Sequence, residues 1–288
     1  MNALTDKLTS ASAESTPLDA TQWSLLLSFD IMGMVGLGRD FGGISTGSRH
    51  PAIRAIQEHM RMLSILSHVP WFLNLFSLVP GATAGYMPFF GFCAEQVNEK
   101  RERMLASSKK QSADDERSPP PDIMSWLIAA FEDPVDPAGV PSREALDEDS
   151  RVVIIAGSET TATTLTTALY YMAKLPAEQQ KLQTALDRAI GDEWTYDKVK
   201  GCALLDHVIF ETLRLQPALR TGASRETPPR GITIDEVYIP GGVNVIVGVQ
   251  GIQTDPRYWG DGAGKFVPER WGEKGRRLGP YMPFSIGE

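Results

Sequence analysis

Two stretches of this sequence bring acids, hydroxyls and a guanidinium together at spacings that could do chemistry. In Ala156-Gly157-Ser158-Glu159-Thr160-Thr161 a carboxylate stands next to a hydroxyl, and Thr163, Thr164, Thr166 and Thr167 follow. An acid beside an alcohol can hold a proton and pass it on. In Glu211-Thr212-Leu213-Arg214 the i and i+3 positions put a carboxylate and a guanidinium on one helix face. The flanks Val208, Ile209, Phe210 and Leu215 are apolar, so this pair is expected to be partly buried. A buried pair must satisfy its remaining hydrogen-bonding groups, and Arg270, in Pro268-Glu269-Arg270-Trp271, could be the third member.

These residues need helices to hold them, and the chain supplies the patterns. The longest helical pattern runs from Ser142 to Leu175, stopped by Pro176, and contains the Glu159-Thr160 pair. Glycine costs roughly 1 kcal/mol against alanine inside a helix, and threonine hydroxyls can take over backbone carbonyls and bend it. One turn of this helix could therefore be weakened and open a groove; a buried helix with satisfied threonines accounts for the same residues. Helices are also expected over Trp23 to Phe41, buried and closed by Gly38 and Gly42, and over Pro51 to Leu66, Glu95 to Leu105, Ala177 to Ile190 and Val199 to Leu215. Asp122 to Phe131 reads as a short helix with Asp122 as its cap.

Between these lie segments of other character. Val69 to Phe92 mixes Trp71, Phe72, Leu75, Phe76, Leu78, Phe89 and Phe90 with Pro70, Pro80 and Pro88, which predicts short apolar segments joined by turns. It is either a core-covering loop or a patch resting on a bilayer surface. Ser107 to Pro121 is a polar, solvated loop, and beyond Pro217 short β-branched runs, Ile232 to Ile234 and Val243 to Val249, predict a small sheet. The fold class is mainly α with a minor β region.

An apolar content of 42% is enough for a sizeable core, and a net charge of −8 argues against a nucleic-acid surface. The two cysteines, Cys93 and Cys202, form neither a disulfide framework nor a zinc-ligand spacing, which suits a reducing compartment. Residues 1–22 form a polar segment without an apolar run resembling a signal peptide or spanning helix.

The Gly-Ser-Glu-Thr-Thr turn, Glu-x-x-Arg, Pro-Glu-Arg and the closing Pro283-Phe284-Ser285-Ile286-Gly287, in that order, resemble the haem-thiolate monooxygenases, the cytochromes P-450. The resemblance covers the whole chain and the later part of the family fold. Trp23 to Gly42 is similar to the family's E helix, whose ending is matched by Asp30, Gly38, Phe41 and Gly42. Residues 142–175 resemble its long central I helix, and residues 218–288 its small sheet and meander. By this resemblance Glu159 and Thr160 match the acid and alcohol that deliver protons during oxygen activation. Ala156 and Gly157 match small residues that let oxygen and substrate approach the haem face. Glu211, Arg214 and Arg270 match a buried structural triad. Arg225 matches the arginine paired with a haem propionate, although a surface strand arginine is also consistent with its sequence. Ala218 to Ala223 would face substrate, and Phe284 would pack against the cysteine loop.

The family implies haem b as cofactor, an NADPH-cytochrome reductase as electron donor, an apolar substrate and a place on the cytosolic face of the endoplasmic reticulum membrane. The Gly231 to Gly242 pattern, Gly-Ile-x-Ile-x-x-x-Tyr-Ile-Pro-Gly-Gly, suggests fungal members that act on secondary metabolites. The family's Arg-x-Cys-x-Gly is expected directly after Glu288, and its earlier helices before residue 1. Neither Cys93 nor Cys202 lies in a suitable loop, so these 288 residues alone are expected to bind no haem through a thiolate, to do no oxygen chemistry and to aggregate. The alternatives are a non-catalytic truncated remnant and a haem-free helical protein that binds an apolar ligand or partner.

Overall fold

The computed structural model describes residues 2–66, 71, 75, 78–79, 81, 87–108, 121–132, 140–191, 194–272 and 279–286. Contacts divide the chain into Met1–Ala162 and Thr163–Glu288, and the division falls inside one long helix. The first unit is helical. It contains α1 (Asn2–Ala13), α2 (Ala20–Met32), α3 (Gly43–Thr46), α4 (Pro51–Leu66), α5 (Met87–Ser108), α6 (Ile123–Glu132) and the start of α7 (Arg143–Lys174). Helix α1 was not anticipated, because its polar residues show no apolar face. Helix α5 begins eight positions earlier than the sequence suggested and absorbs Pro88, Phe89, Phe90 and Phe92 from the Val69 to Phe92 segment expected as short apolar stretches joined by turns. Proline is tolerated there because the first turn of a helix has no intrahelical partner for its missing N–H.

Helix α2 starts on the Asp19 carboxylate, which accepts from the backbone of Thr21 at 2.9 Å and Gln22 at 3.2 Å. It continues into one π-helical turn, Gly33–Leu37, and stops at Gly38, whose φ of 63° is left-handed. The helix is buried on one side only: Leu25, Leu26 and Phe29 enter the core, while Ile31, Met34 and Val35 are exposed, contrary to the buried helix expected. The core that α2 joins includes Ile53 and Ile56 of α4, Phe89, Cys93 and Val97 of α5, Met124 and Ile128 of α6, and Leu146 and Ile154 of α7.

A buried ion pair closes the bend after α2. Lys100 Nζ donates to the Leu37 carbonyl at 3.2 Å and to the Asp122 carboxylate. Asp122 also caps α6 as expected, accepting from Ser125 N at 2.9 Å and Ser125 Oγ at 2.8 Å. A Cβ on residue 38 would stand 2.6 Å from Asp122 Oδ2, so the left-handed turn and the carboxylate both require glycine there.

The second unit holds the end of α7, then α8 (Pro176–Ile190), α9 (Tyr196–Val199), α10 (Ala203–Leu215), α11 (Val249–Gln253), α12 (Pro256–Trp259) and a 3-10 turn, Pro268–Trp271. Pro176 both ends α7 and opens α8, where a proline at the first position is favourable. The expected sheet is two separate antiparallel ladders. Strand β1 (Arg225–Glu226) pairs with β4 (Asn244–Val245), Arg225 opposite Val245. Strand β2 (Ile232–Ile234) pairs with β3 (Val237–Ile239) around Asp235, at φ 51°. The run Val243 to Val249 is strand only at Asn244 and Val245, because its last residue already begins α11. Among the described residues, no helix is long and apolar enough to cross a membrane.

Candidate functional site: the acid–hydroxyl turn and the buried ion-pair cluster

Helix α7 is continuous α-helix through the Gly157 turn. The hydroxyls bond back along the helix. Ser158 Oγ donates to the Ile154 carbonyl at 2.7 Å, Thr160 Oγ1 to Ala156 at 2.6 Å and Thr167 Oγ1 to Thr163 at 2.7 Å. Glu159 is half-buried, and its Oε1 is buried without a hydrogen-bond partner among the described residues. Desolvation by burial raises the pKa of this carboxyl, and the positive charge of Arg49 opposes the rise.

The two small residues before the acid are not equivalent. Ala156 is exposed, and its carbonyl is the acceptor for Thr160. Gly157 faces α2, where a Cβ would overlap the Met32 sulfur and stand 2.8 Å from Met32 Cγ. Its missing side chain lets α2 and α7 approach, which sequence alone could not reveal because Met32 is remote in the chain.

In the second unit, Glu211, Arg214 and Arg270 come together. Arg214 is wholly buried and uses five hydrogen bonds. Its Nε donates to Glu211 Oε2 at 2.8 Å and its Nη2 to Glu211 Oε1 at 2.9 Å. Nη1 reaches the carbonyls of Gln253 and Ala263, both at 2.7 Å, and Nη2 that of Lys265 at 3.1 Å. Glu211 also accepts from Arg270 Nε, Val267 N and Trp271 Nε1, each at 2.9 Å. The Trp259 ring lies under the Arg214 guanidinium, 4.8 Å from its centroid. One anion between two cations is tolerable in a dry interior because all five Arg214 donors and both Glu211 oxygens are directed at partners.

Trp271 is the member of this cluster that the sequence reading missed, although it adjoins Arg270. Gln253 is a second omission. It is fully buried, and its partners are main-chain groups that leave no trace in sequence.

Arg225 projects from an exposed strand, and among the described residues its side chain makes one hydrogen bond, to the Ser224 carbonyl at 3.0 Å. The neighbouring loops expose Leu219, Ile246 and Val247. They run close together, since Gln250 N donates to the Arg220 carbonyl and a Cβ on Gly222 would lie 2.5 Å from the Val247 carbonyl. Phe284 is 82% exposed, within a turn in which Ser285 N donates to the Met282 carbonyl at 3.1 Å. A guanidinium with unused donors beside exposed apolar side chains fits the carboxylate and hydrocarbon parts of a haem. The cysteines do not fit its axial position. Both are buried, and burial pushes the Cys93 thiol up to about 12, so Cys93 offers no thiolate. Among the described residues no cluster of His, Cys, Asp and Glu could hold a metal ion.

The family model for cytochrome P450 matches residues 1–288. The chain is 41% identical over 231 residues to the cytochrome P450 monooxygenase eupD of Phoma sp, a match covering 79% of each protein. It is 32% identical to the cytochrome P450 monooxygenase orf5 of Eupenicillium brefeldianum, over 94% of this chain and 52% of the relative. With the tryprostatin B 6-hydroxylase of Neosartorya fischeri it shares 30% identity over 96% of this chain and 48% of the relative. The chain thus spans about half the length of the latter two. From Glu159-Thr160 through the Glu211–Arg214–Arg270 cluster, the chain belongs to the cytochrome P450 family.

Proposed function

We propose that these residues form the proton-delivery helix and the structural cluster of a haem-dependent monooxygenase that oxidises an apolar fungal secondary metabolite. The observation that carries the reading is the adjacency, on α7, of a half-buried carboxyl with an unpartnered oxygen and a hydroxyl resting on the carbonyl four residues back. Burial raises the pKa of the Glu159 carboxyl, which brings it closer to the range in which a group can exchange a proton, and Thr160 can take up a proton and pass on its own. Arg225 would hold a haem propionate, and the Glu211 cluster would keep α10 and the Pro268–Trp271 turn in register beneath it. When bound, the haem supplies dioxygen reduction, with electrons from a reductase, and transfer of one oxygen atom to substrate.

In the complete protein a cysteine of the family's Arg-x-Cys-x-Gly would supply a thiolate to hold the haem. The complete protein would lie on the cytosolic face of the endoplasmic reticulum membrane, with exposed Trp71, Leu75, Leu78 and Val79 as a surface-contact patch. Support for the substrate class comes from the relatives, one of which is named as a hydroxylase of tryprostatin B.

The test is expression of the complete reading frame with a fungal reductase. The expected results are a thiolate-type Soret band on reduction under carbon monoxide and NADPH-dependent oxidation of an apolar substrate. Thr160→Ala should lower product formed per NADPH. A complete protein that takes up no haem but binds an apolar dye would refute the reading and favour a haem-free binding protein.

A further inference from the structure

The last four carbonyls of a helix have no intrahelical partner, and in a buried helix end each must find one. At the C-terminus of α10 they all do. Gln216 N takes the Thr212 carbonyl at 2.9 Å. Gln253 Nε2 donates to Leu213 and Arg214, both at 3.1 Å, and Gln250 Nε2 donates to Leu215 at 3.0 Å. Two side-chain amides spaced i and i+3 on α11 thus close the end of the helix that carries Glu211 and Arg214.

Gln253 does more than cap. Its Oε1 accepts from Met282 N at 2.7 Å, and Met282 opens the turn Met282–Ser285, with Pro283 at the position such turns favour. Its own carbonyl accepts from Arg214 Nη1 at 2.7 Å. One fully buried side chain therefore ties the ion-pair cluster to the segment that leads toward Glu288. Only a primary amide serves here: two carbonyls require donors and one backbone N–H requires an acceptor. A carboxylate would face the carbonyls without a proton, and an ammonium would offer Met282 no acceptor. Gln250, in contrast, bonds to Leu215 and Gln216 and has no bond to the 282–285 turn.

We infer that Gln253 is a positioning residue that sets the register of the 282–285 turn against α10, and so fixes where the axial-ligand loop begins. The inference rests on the haem-thiolate reading given above. The neutral amide holds the turn on the buried cluster, so displacement of the turn requires opening a hydrogen bond at the centre of the unit.

The experiment uses the complete, haem-loaded protein with Gln253→Met and, separately, Gln250→Met. Gln253→Met removes three side-chain bonds, of which the one from Met282 holds the turn, and should lower the ratio of thiolate-type to non-thiolate Soret absorbance under carbon monoxide by about tenfold, the effect of losing that one buried hydrogen bond, with haem per chain unchanged. The Met282 amide should exchange with deuterium about a hundredfold faster in that variant, as local opening becomes easier. Gln250→Met should keep the parent spectrum and the parent Met282 exchange. Equal spectral loss in both variants, or the parent ratio in Gln253→Met, would overturn the inference. If Gln253→Met does not fold, the unsubstituted protein decides: a protected Met282 amide supports the inference, and one exchanging like an open loop overturns it. A complete protein that itself lacks the thiolate-type band removes the monooxygenase reading, and the inference with it, a result distinct from either variant's.

Discussion

Replacing Arg214 by lysine keeps the charge and removes the fork, and the structure gives the size of the effect. Arg214 directs five donors at Glu211 twice and at the carbonyls of Gln253, Ala263 and Lys265. An ammonium has three donors, so at least two of those five bonds are lost. Glu211 still accepts from Arg270, Val267 and Trp271, which places the loss on the buried carbonyls. Each orphaned carbonyl costs about 1–3 kcal/mol, so Arg214→Lys should lose about 2–6 kcal/mol. A domain holds only about 5–15 kcal/mol in total, and for a chain of this size the thermal midpoint should fall by about 4–12 °C at roughly 2 °C per kcal/mol. Arg270 is the internal control, with two side-chain bonds, to Glu211 at 2.9 Å and to the Gly262 carbonyl at 3.0 Å. A lysine has three donors for two bonds, so Arg270→Lys should cost less than Arg214→Lys. Urea titration and scanning calorimetry of both variants measure the difference. A loss below about 1 kcal/mol for Arg214→Lys, or equal losses at the two positions, would refute the donor count as the source of stability.

Three other substitutions test the first unit. Lys100→Met leaves the Asp122 carboxylate buried without its cation and should cost about 3–5 kcal/mol, while Lys100→Met with Asp122→Asn should recover more than half, because the amide still caps α6; urea midpoints decide. Gly157→Ala gains about 1 kcal/mol of helix propensity but overlaps Met32, so its net loss should be only about 0–2 kcal/mol by urea titration, and in a Met32→Ala background the same substitution should be stabilising. Glu159 binds its proton more tightly when folded than when unfolded, because burial raises its pKa. Its contribution is therefore fully present below the ordinary carboxylate pKa of about 4.3 and is lost as pH rises through the raised value. Relative to Glu159→Gln, the parent should lose stability between acid and neutral pH, and a flat difference across that range would remove burial as the cause.

The Glu211–Arg214 pair was legible because i and i+3 on an apolar helix leave few alternatives, and Arg270 followed from the need for a third partner. The Asp122 cap and the Ser142 to Leu175 helix were legible for the same reason: capping and 3.6-residue periodicity are local rules that a sequence obeys wherever the helix packs. Gly157, the continuity of α7 and Gln253 were not. A glycine reads alike whether it faces ligand or a packed methionine, and a glutamine whose three partners are backbone groups carries no pattern. Sequence fixed what could be decided within a turn or two of chain: helices, caps and one ion pair. Tertiary structure decided which face of α7 meets α2, which carbonyls Arg214 and Gln253 satisfy, and that Cys93 is buried with its thiol protonated, because close packing, desolvation and hydrogen-bond completion depend on segments that meet only when the chain folds.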